Sequence, residues 1–152
     1  MSRGYTVNGP SATGTSLKTA VTVVATAAVR PRIFEFAVGI LTNPNATDQQ
    51  LEFALQRFTA AGTAGSSATP LSIDPGDVAA IATSGITHSA EPTYTATGFL
   101  FDQAMNQRAM FRWVAVPGYE FMAPATAANG IGLKNVLVTA TSVITGTIMW
   151  ME

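Results

Sequence analysis

The single histidine, His88, is the first residue that could do chemistry in this chain of 152 residues. A serine hydroxyl becomes a good nucleophile when a base such as imidazole lies within hydrogen-bonding reach, so a hydrolase would have to use His88. No triad signature surrounds it in the segment Thr-His-Ser-Ala-Glu at 87–91. One histidine is also too few for a cupin-like metal site. We therefore interpret His88 as a loop histidine that is hydrogen-bonded locally.

Carboxylates are the next candidates, because a glycosidase needs only two of them, held several ångströms apart. Four lie on predicted strands, and four arginines lie on segments of the same kind, which makes ion pairs between strands the simpler interpretation. The carboxylates are Glu35, Glu52, Asp102 and Glu120, and the arginines are Arg32, Arg57, Arg108 and Arg112. Cysteine is absent, which excludes disulfides and thiolate chemistry. We expect no catalytic residue, no cofactor and no metal ion.

Aromatic rings raise the alternative of a carbohydrate-binding module, in which exposed rings stack on the apolar faces of sugars. Trp113 and Trp150 lie in alternating segments, and Tyr94 and Tyr119 lie in or beside loops. A binding platform needs several rings on one exposed face, which a sequence cannot show. We predict that both tryptophans pack in a core or an interface.

Alternation with a period of two dominates the chain and predicts strands. Residues 32–41 place Ile33 on one face and four apolar side chains on the other: Phe34, Phe36, Val38 and Ile40. Residues 51–59 alternate as well, and the turn-forming residues 43–48 suggest that the two segments pair like a hairpin; a short helix is the alternative for 51–59. Further β-branched or aromatic runs make about eight strands in total, at 17–29, 98–104, 107–116, 119–123, 133–140 and 142–151.

Residues 74–85 have the signals of one short helix. Asp74 can cap it, Pro75 suits the first helical position, and Gly85 can end it. Asp74 and Asp77 could also bind calcium, but no further oxygen ligands follow at regular spacing. The segments on either side, 60–70 and 84–97, are predicted to be long loops.

These elements predict an all-β fold, namely an antiparallel β-sandwich, with an eight-stranded jelly roll and one short helix as its specific form. A seven-stranded immunoglobulin-like sandwich is the second possibility. We expect residues 17–152 to form a single domain and the Gly-, Ser- and Thr-rich residues 1–16 to form a flexible N-terminal arm. Residues 108–120 predict a hairpin around a Pro-Gly turn, and residues 123–133 predict a loop of small residues ending in Asn-Gly.

Charge is scarce in this chain: 11% of its residues are charged, against about 25% in an ordinary soluble domain. The net charge of −1 gives no electrostatic footprint for nucleic acid or anionic lipid. The apolar run at 17–29 is shorter than the roughly 20 residues of a membrane-spanning helix. We therefore expect neither nucleic acid nor a membrane as a partner. A surface with so few charges indicates a component of a protein assembly.

Two blocks carry a resemblance to a known family: VRPRIFEFAVGI at 29–40 and AEPTYTATGFLFDQAMNQRAMFRWVAVPGYEFMAPATAANGIGL at 90–133. In texture and order they resemble the small β-sandwich decoration or cement proteins of tailed-phage heads. The resemblance implies a jelly-roll-like domain that forms homotrimers on the capsid surface of the virion. It implies contacts with the major capsid protein through the arm and loops, synthesis in the host cytoplasm, and no catalytic residues.

Candidate interface residues follow from this function. Arginine keeps several hydrogen bonds when it is partly desolvated, which makes it a good anchor. One further candidate is the tyrosine that follows the Pro-Gly turn, and another is the asparagine near the end of the loop of small residues. The candidates are Arg30, Arg32, Arg108, Arg112, Tyr119 and Asn129. A self-assembling capsid subunit and a carbohydrate-binding module are the alternative functions.

Overall fold

The computed structural model describes residues 2–13, 19–136 and 142–152. Within these ranges the backbone forms twelve strands and no helix, hence no helix long and apolar enough to cross a membrane. The strands are β1 (Gly4–Pro10), β2 (Thr19–Val24), β3 (Arg32–Ile40), β4 (Gln50–Ala60), β5 (Thr63–Ser67), β6 (Leu71–Ser72), β7 (Thr83–Ala90), β8 (Thr93–Asn106), β9 (Phe111–Val114), β10 (Phe121–Met122), β11 (Gly130–Asn135) and β12 (Ile144–Met151).

The strands form two antiparallel sheets that pack as a β-sandwich. Sheet A has the order β10, β3, β12, β1, β6, and β9 pairs with β3 on the same side as β10. Sheet B has the order β5, β7, β2, β11, β4, β8. From β1 to β4 the chain changes sheet at every step, so strands that follow each other in sequence lie on opposite sides of the core.

The core lies between the sheets and follows the alternation of strand residues. In β12, buried residues alternate strictly with half-exposed ones, because every second side chain points between the sheets. Trp150 near its end is fully buried, and its ring lies 5.9 Å from that of Tyr5 on β1. Phe36 on β3 packs edge-on against Phe101 on β8 at 5.4 Å and so joins the two sheets. Burial stabilises each such side chain by about 1.5–3 kcal/mol.

In place of the flexible arm predicted for residues 1–16, residues 4–10 form β1. This strand pairs with β12 along its whole length and places Tyr5 and Val7 in the core. Gly9 fits at its position because a Cβ there would lie 2.4 Å from the side chain of Ile86 on β7. The small residues of this segment hide its alternation, since they resemble linker composition. Met1 and residues 14–16 lie outside the described residues.

The helix predicted at residues 74–85 does not form. The Asp74 carboxylate accepts a hydrogen bond from Gly76 N at 2.9 Å, which closes a tight turn instead of capping a helix. Further along, two amides that a helix would bond internally donate to the Glu152 carboxylate, each at 2.9 Å. Because this side chain replaces the helical carbonyls as acceptor, the segment is a turn followed by extended chain that leads into β7.

Both predicted hairpin pairings are wrong. β3 and β4 lie in different sheets, and the helical alternative for residues 51–59 is wrong too, because these residues belong to β4. β9 and β10, the expected arms of the hairpin at 108–120, both pair with β3 and not with each other. The Pro-Gly turn does form, but it connects two strands that both pair with the same side of β3.

Both predicted long loops contain strands. Residues 60–70 include β5, and residues 84–97 include most of β7 and the start of β8. Their small and polar side chains give a weak strand signal, because strand propensity depends mainly on β-branched and aromatic residues. The strands predicted at 17–29 and 133–140 are present as β2 and β11, with residues 17–18 and 137–140 outside the described part of the chain.

Candidate functional site

An exposed apolar surface lies where β9 and β10 border sheet A, and we call it the β9–β10 edge. It consists of four exposed side chains: Val114, Val116, Tyr119 and Met122. Tyr119 is the most accessible of them, with 77% of its surface exposed. A turn presents it: Tyr119 N donates to Val116 O at 2.9 Å, and Gly118 adopts a φ of +91°, which other residues rarely take.

Two ion pairs border the β9–β10 edge. Arg32 Nη2 lies 2.9 Å from Glu120 Oε2, and Arg112 Nε lies 2.6 Å from Glu35 Oε1. The hydrogen bond from Arg32, together with backbone hydrogen bonds, lowers the pKa of Glu120 to about 2. The hydrogen bond from Arg112 lowers the pKa of Glu35 below its ordinary value. Both carboxylates are therefore charged at neutral pH.

Two further arginines at this edge have no carboxylate partner among the described residues. Arg57 reaches over from β4 in sheet B, and its Nη2 donates to Met122 O at 3.2 Å. Arg30 is exposed beside Pro31, whose carbonyl accepts a hydrogen bond from Ala123 N just after β10. With four arginines and two glutamates, the β9–β10 edge has an excess of positive charge.

A second exposed apolar surface lies at the opposite end of sheet A, and we call it the β6 edge. It comprises β6 and the turn and extended chain that follow, with four exposed side chains: Leu71, Ile73, Val78 and Ile81. Backbone groups hold this segment on β1, since Ile73 N donates to Gly4 O at 2.9 Å and the Tyr5 hydroxyl donates to Val78 O at 3.0 Å. All four apolar side chains are more than half exposed in the described part of the chain.

Carboxylates outnumber basic groups at the β6 edge. Asp77 pairs with Arg3 across 3.4 Å, and Asp74 is exposed in the turn. The Glu152 carboxylate accepts hydrogen bonds from two backbone amides of the segment and from Trp150 Nε1. Three carboxylates and one arginine give this edge an excess of negative charge.

Part of the outer face of sheet A, between the two edges, carries small side chains. A shallow groove of about 290 Å³ lies over β3 and β12, and its lining includes Ala37, Gly39, Thr145, Gly146 and Thr147. Side chains of this size lose little conformational entropy when another surface covers them. Sheet A therefore offers a groove lined by uncharged side chains, between two edges that each expose four apolar side chains.

The structure brings four of the six predicted interface residues together. Arg30, Arg32, Arg112 and Tyr119 all lie at the β9–β10 edge. Their arrangement depends on β9 and β10 sharing β3 as their partner.

The other two predicted interface residues lie elsewhere. Arg108 pairs with Asp48, with 3.0 Å between Nε and Oδ1. Asn129 is half-buried before β11, and its carbonyl accepts a hydrogen bond from Ala25 N at 2.8 Å. Neither belongs to the two apolar edges.

Sequence reasoning missed the β6 edge, because residues 74–85 looked like a helix that would bury its apolar side chains. One signal could have found it. Leu71 and Ile73 precede the predicted helix, so burial of Val78 and Ile81 within it would still leave these two apolar side chains outside it.

His88 lies on β7 instead of in a loop, and only 1% of its surface is exposed. Its Nε2 lies 3.3 Å from Thr22 Oγ1 on the neighbouring strand β2. Burial lowers the pKa of His88, so the imidazole is neutral at neutral pH. Nearby, the Thr19 hydroxyl donates to the Glu91 carboxylate and lies 2.7 Å from the Tyr94 hydroxyl. These groups form a polar cluster around β2.

The four candidate carboxylates lie in two kinds of surroundings. The ion pairs predicted between strands are confirmed for Glu35 and Glu120. Glu52 and Asp102 instead lie on the paired strands β4 and β8, where burial and the negative charge of Asp102 raise the pKa of Glu52. Across the described ranges, no group of three or more histidines or carboxylates could hold a metal ion.

The candidate sugar-stacking rings are mostly covered. Trp150 is fully buried, and Trp113 is half-buried with its ring stacked 4.4 Å from that of Phe121. The prediction that the tryptophans pack in a core or an interface is confirmed for Trp150, which lies in the core, and Trp113 packs partly buried against that core. Tyr94 packs edge-on against Phe58 at 6.1 Å, so Tyr119 is the one widely exposed ring of the four candidates.

No protein-family model, no curated protein and no solved structure matches the chain. Its function is therefore inferred from the two edges and the face between them.

Proposed function

We propose that the chain is a structural protein of a tailed-phage head, a decoration or cement protein that binds the major capsid protein on the capsid surface. It is made in the host cytoplasm, forms a homo-oligomer, expected to be a trimer, and stabilises the shell by covering boundaries between its subunits. One observation carries the proposal: a sheet with exposed apolar side chains at both ends, in a chain with 11% charged residues.

The strand order supports a jelly roll as the form of the sandwich. In sheet A, β1, β12, β3 and β9 are neighbours in that order, and in sheet B the order is β2, β11, β4, β8. Two sheets of four strands each, with the chain passing repeatedly from one to the other, are the arrangement of an eight-stranded jelly roll, which occurs in viral capsid proteins. The strands β5, β6, β7 and β10 are additions to this plan.

The physical basis of the proposal is the burial of surface across subunit boundaries. A cement protein gains free energy from apolar area removed from water, and each contact is repeated around the symmetry axis of a closed oligomer. Small side chains and a low charge reduce the entropic and desolvation costs of that burial. The groove on sheet A, lined by small residues together with Val38, Ile40 and Met110, fits such a contact.

The first experiment measures the mass of the purified protein by light scattering at several concentrations. The proposal predicts a stable small oligomer. Closed particles of many copies would make the chain the shell subunit itself, and a monomer at every concentration would contradict an assembly function.

The second experiment adds the protein to tailed-phage heads that lack their decoration protein. We expect saturable co-sedimentation and an increase in the temperature at which the heads open. Absence of binding by an oligomeric protein would overturn the capsid role. Binding on a glycan array, with a change in tryptophan fluorescence, would favour the carbohydrate-binding alternative.

A further inference from the structure

We infer that the β9–β10 edge of one copy binds the β6 edge of a second copy, so that protomers join head to tail around a ring. The inference rests on the proposed assembly function and names the partner surface within it. The ligand of each edge is then this chain itself.

The positions of the two edges favour a head-to-tail contact. β9 and β10 border sheet A beyond β3, whereas β6 borders it beyond β1, with β12 in the middle. The edges therefore lie on opposite sides of one protomer and cannot cover each other within it. A contact between two different patches uses one patch of each protomer and leaves the other free, so it repeats until the ring closes.

The two edges match in size and kind. Each exposes four apolar side chains, and each is framed by charged residues that hold their own hydrogen bonds. Tyr119 is suited to be the central anchor, because a tyrosine ring buries a large area at a small entropic cost and keeps a polar hydroxyl. Leu71 and Ile73 provide aliphatic surface for it on the opposite edge.

Charge separates this contact from a symmetric one. The β9–β10 edge carries four arginines and two glutamates: Arg30, Arg32, Arg57, Arg112, Glu35 and Glu120. The β6 edge carries three carboxylates and one arginine: Asp74, Asp77, Glu152 and Arg3. Opposite potentials attract and like potentials repel. Pairing of an edge with its own copy is therefore disfavoured relative to pairing with the other edge.

The test uses one variant that blocks each edge. Val116→Asp places a carboxylate in the β9–β10 edge, and Leu71→Asp places one in the β6 edge. Leu41→Asp is the matched control, because Leu41 lies outside both edges and is 60% exposed against 64% for Leu71. Circular dichroism and the thermal midpoint verify that each variant folds, and Tyr119→Asp with Val78→Asp provides a second pair.

We expect each edge variant to bind its own copies at least about 30-fold more weakly than the wild type, because a carboxylate that must lose its hydration replaces apolar surface in the contact. Leu41→Asp should keep the wild-type mass. An equimolar mixture of Val116→Asp and Leu71→Asp should form a 1:1 heterodimer and nothing larger. One intact contact remains in that mixture, formed by the β6 edge of the first variant and the β9–β10 edge of the second.

Three results would overturn the inference. Wild-type mass in both edge variants would place the contact elsewhere, and it would leave the proposed capsid role standing if both still bind heads. A dimer of one edge variant alone would show a symmetric contact. A wild type that is monomeric at every concentration would overturn the inference and the proposed function together.

Discussion

The two sheets of the sandwich end in different kinds of edge strand. Sheet B ends in β5, whose residues are all small, and in β8, which runs for 14 residues. β8 meets β4 with three irregularities of register, and bulges and polar side chains discourage pairing with a further strand. Sheet A ends in β6, of two residues, and on the other side in β9 and β10, of four and two residues, among exposed apolar side chains.

This difference indicates which edges of the molecule face water and which are available for contact with a partner. The edges of sheet B have the features of strands that remain in water. The strands at the ends of sheet A are at most four residues long, so a partner there would bind mainly side chains. We interpret sheet B as the solvent-facing half and the ends of sheet A as contact surfaces.

The largest expected effect is on the free energy of unfolding, and it distinguishes apolar side chains of the core from apolar side chains exposed at an edge. Phe36→Ala should lower the free energy of unfolding by about 3–5 kcal/mol, because it empties a site between the two sheets. Val116→Ala should change it by less than about 0.5 kcal/mol, because Val116 is exposed in the protomer. Urea unfolding at low protein concentration measures both. A large loss for Val116→Ala would mean that the edge is part of the core.

The next effect compares an edge of sheet A with an edge of sheet B. Tyr119→Asp should weaken self-association at least about 30-fold, whereas Thr97→Asp on the exposed strand β8 should leave it unchanged. Sedimentation equilibrium of both variants gives the association constants. Equal losses would contradict the division between the two sheets.

A pH series tests the ion pair between Arg32 and Glu120 that borders the β9–β10 edge. The pKa of Glu120 is about 2 in the folded state, below the ordinary value of about 4.3 that it regains on unfolding. The stabilisation from this carboxylate is therefore complete above about pH 5 and is lost as the pH falls toward 2. Thermal midpoints at several pH values should fall less steeply for Glu120→Gln than for the wild type. Parallel curves would show that the Arg32 pair has no role.

The smallest expected effect lies on sheet B, where two carboxylates repel each other. Glu52→Gln removes the repulsion from Asp102 and should stabilise the protein at neutral pH by about 0.5 kcal/mol, in the range of cross-strand pairs. The sign follows from the raised pKa of Glu52, because its charged form is disfavoured in the folded state. The gain should disappear at a pH where Glu52 is protonated. A loss of stability at neutral pH would contradict the repulsion.

The sequence predicts the strands whose burial alternates regularly. β12 and the first half of β4 follow their apolar patterns, and the ion pairs of Glu35 and Glu120 follow from oppositely charged residues on neighbouring segments. The arginines and Tyr119 of the β9–β10 edge could be proposed for the same reason. In each case the information lies within one segment or in the type of a residue.

β3 shows why the rest could not be predicted. Alternation placed Phe34 on the buried face and Ile33 on the other, whereas Ile33 is fully buried and Phe34 is half-exposed. The pairing with β12 shifts register between Met149 and Trp150, so that no residue of β12 lies opposite Phe34. A β-bulge reverses the alternation and depends on the partner strand. The β6 edge could not be predicted for a similar reason. The hydrogen bonds that replace those of a helix are accepted by a glutamate about 70 positions away in the sequence.

The central position of β12 has a consequence for the time course of folding. β1 and β3, among the first strands of the chain, are held apart in sheet A by β12, the last of the described strands. Contacts between residues so distant in sequence form slowly, because the loop between them must close first. While the chain is being synthesised, sheet A stays incomplete, because β1 and β3 are joined within it only when β12 inserts. In the proposed ring, the two contact edges would therefore come to lie on one folded protomer only at that late step.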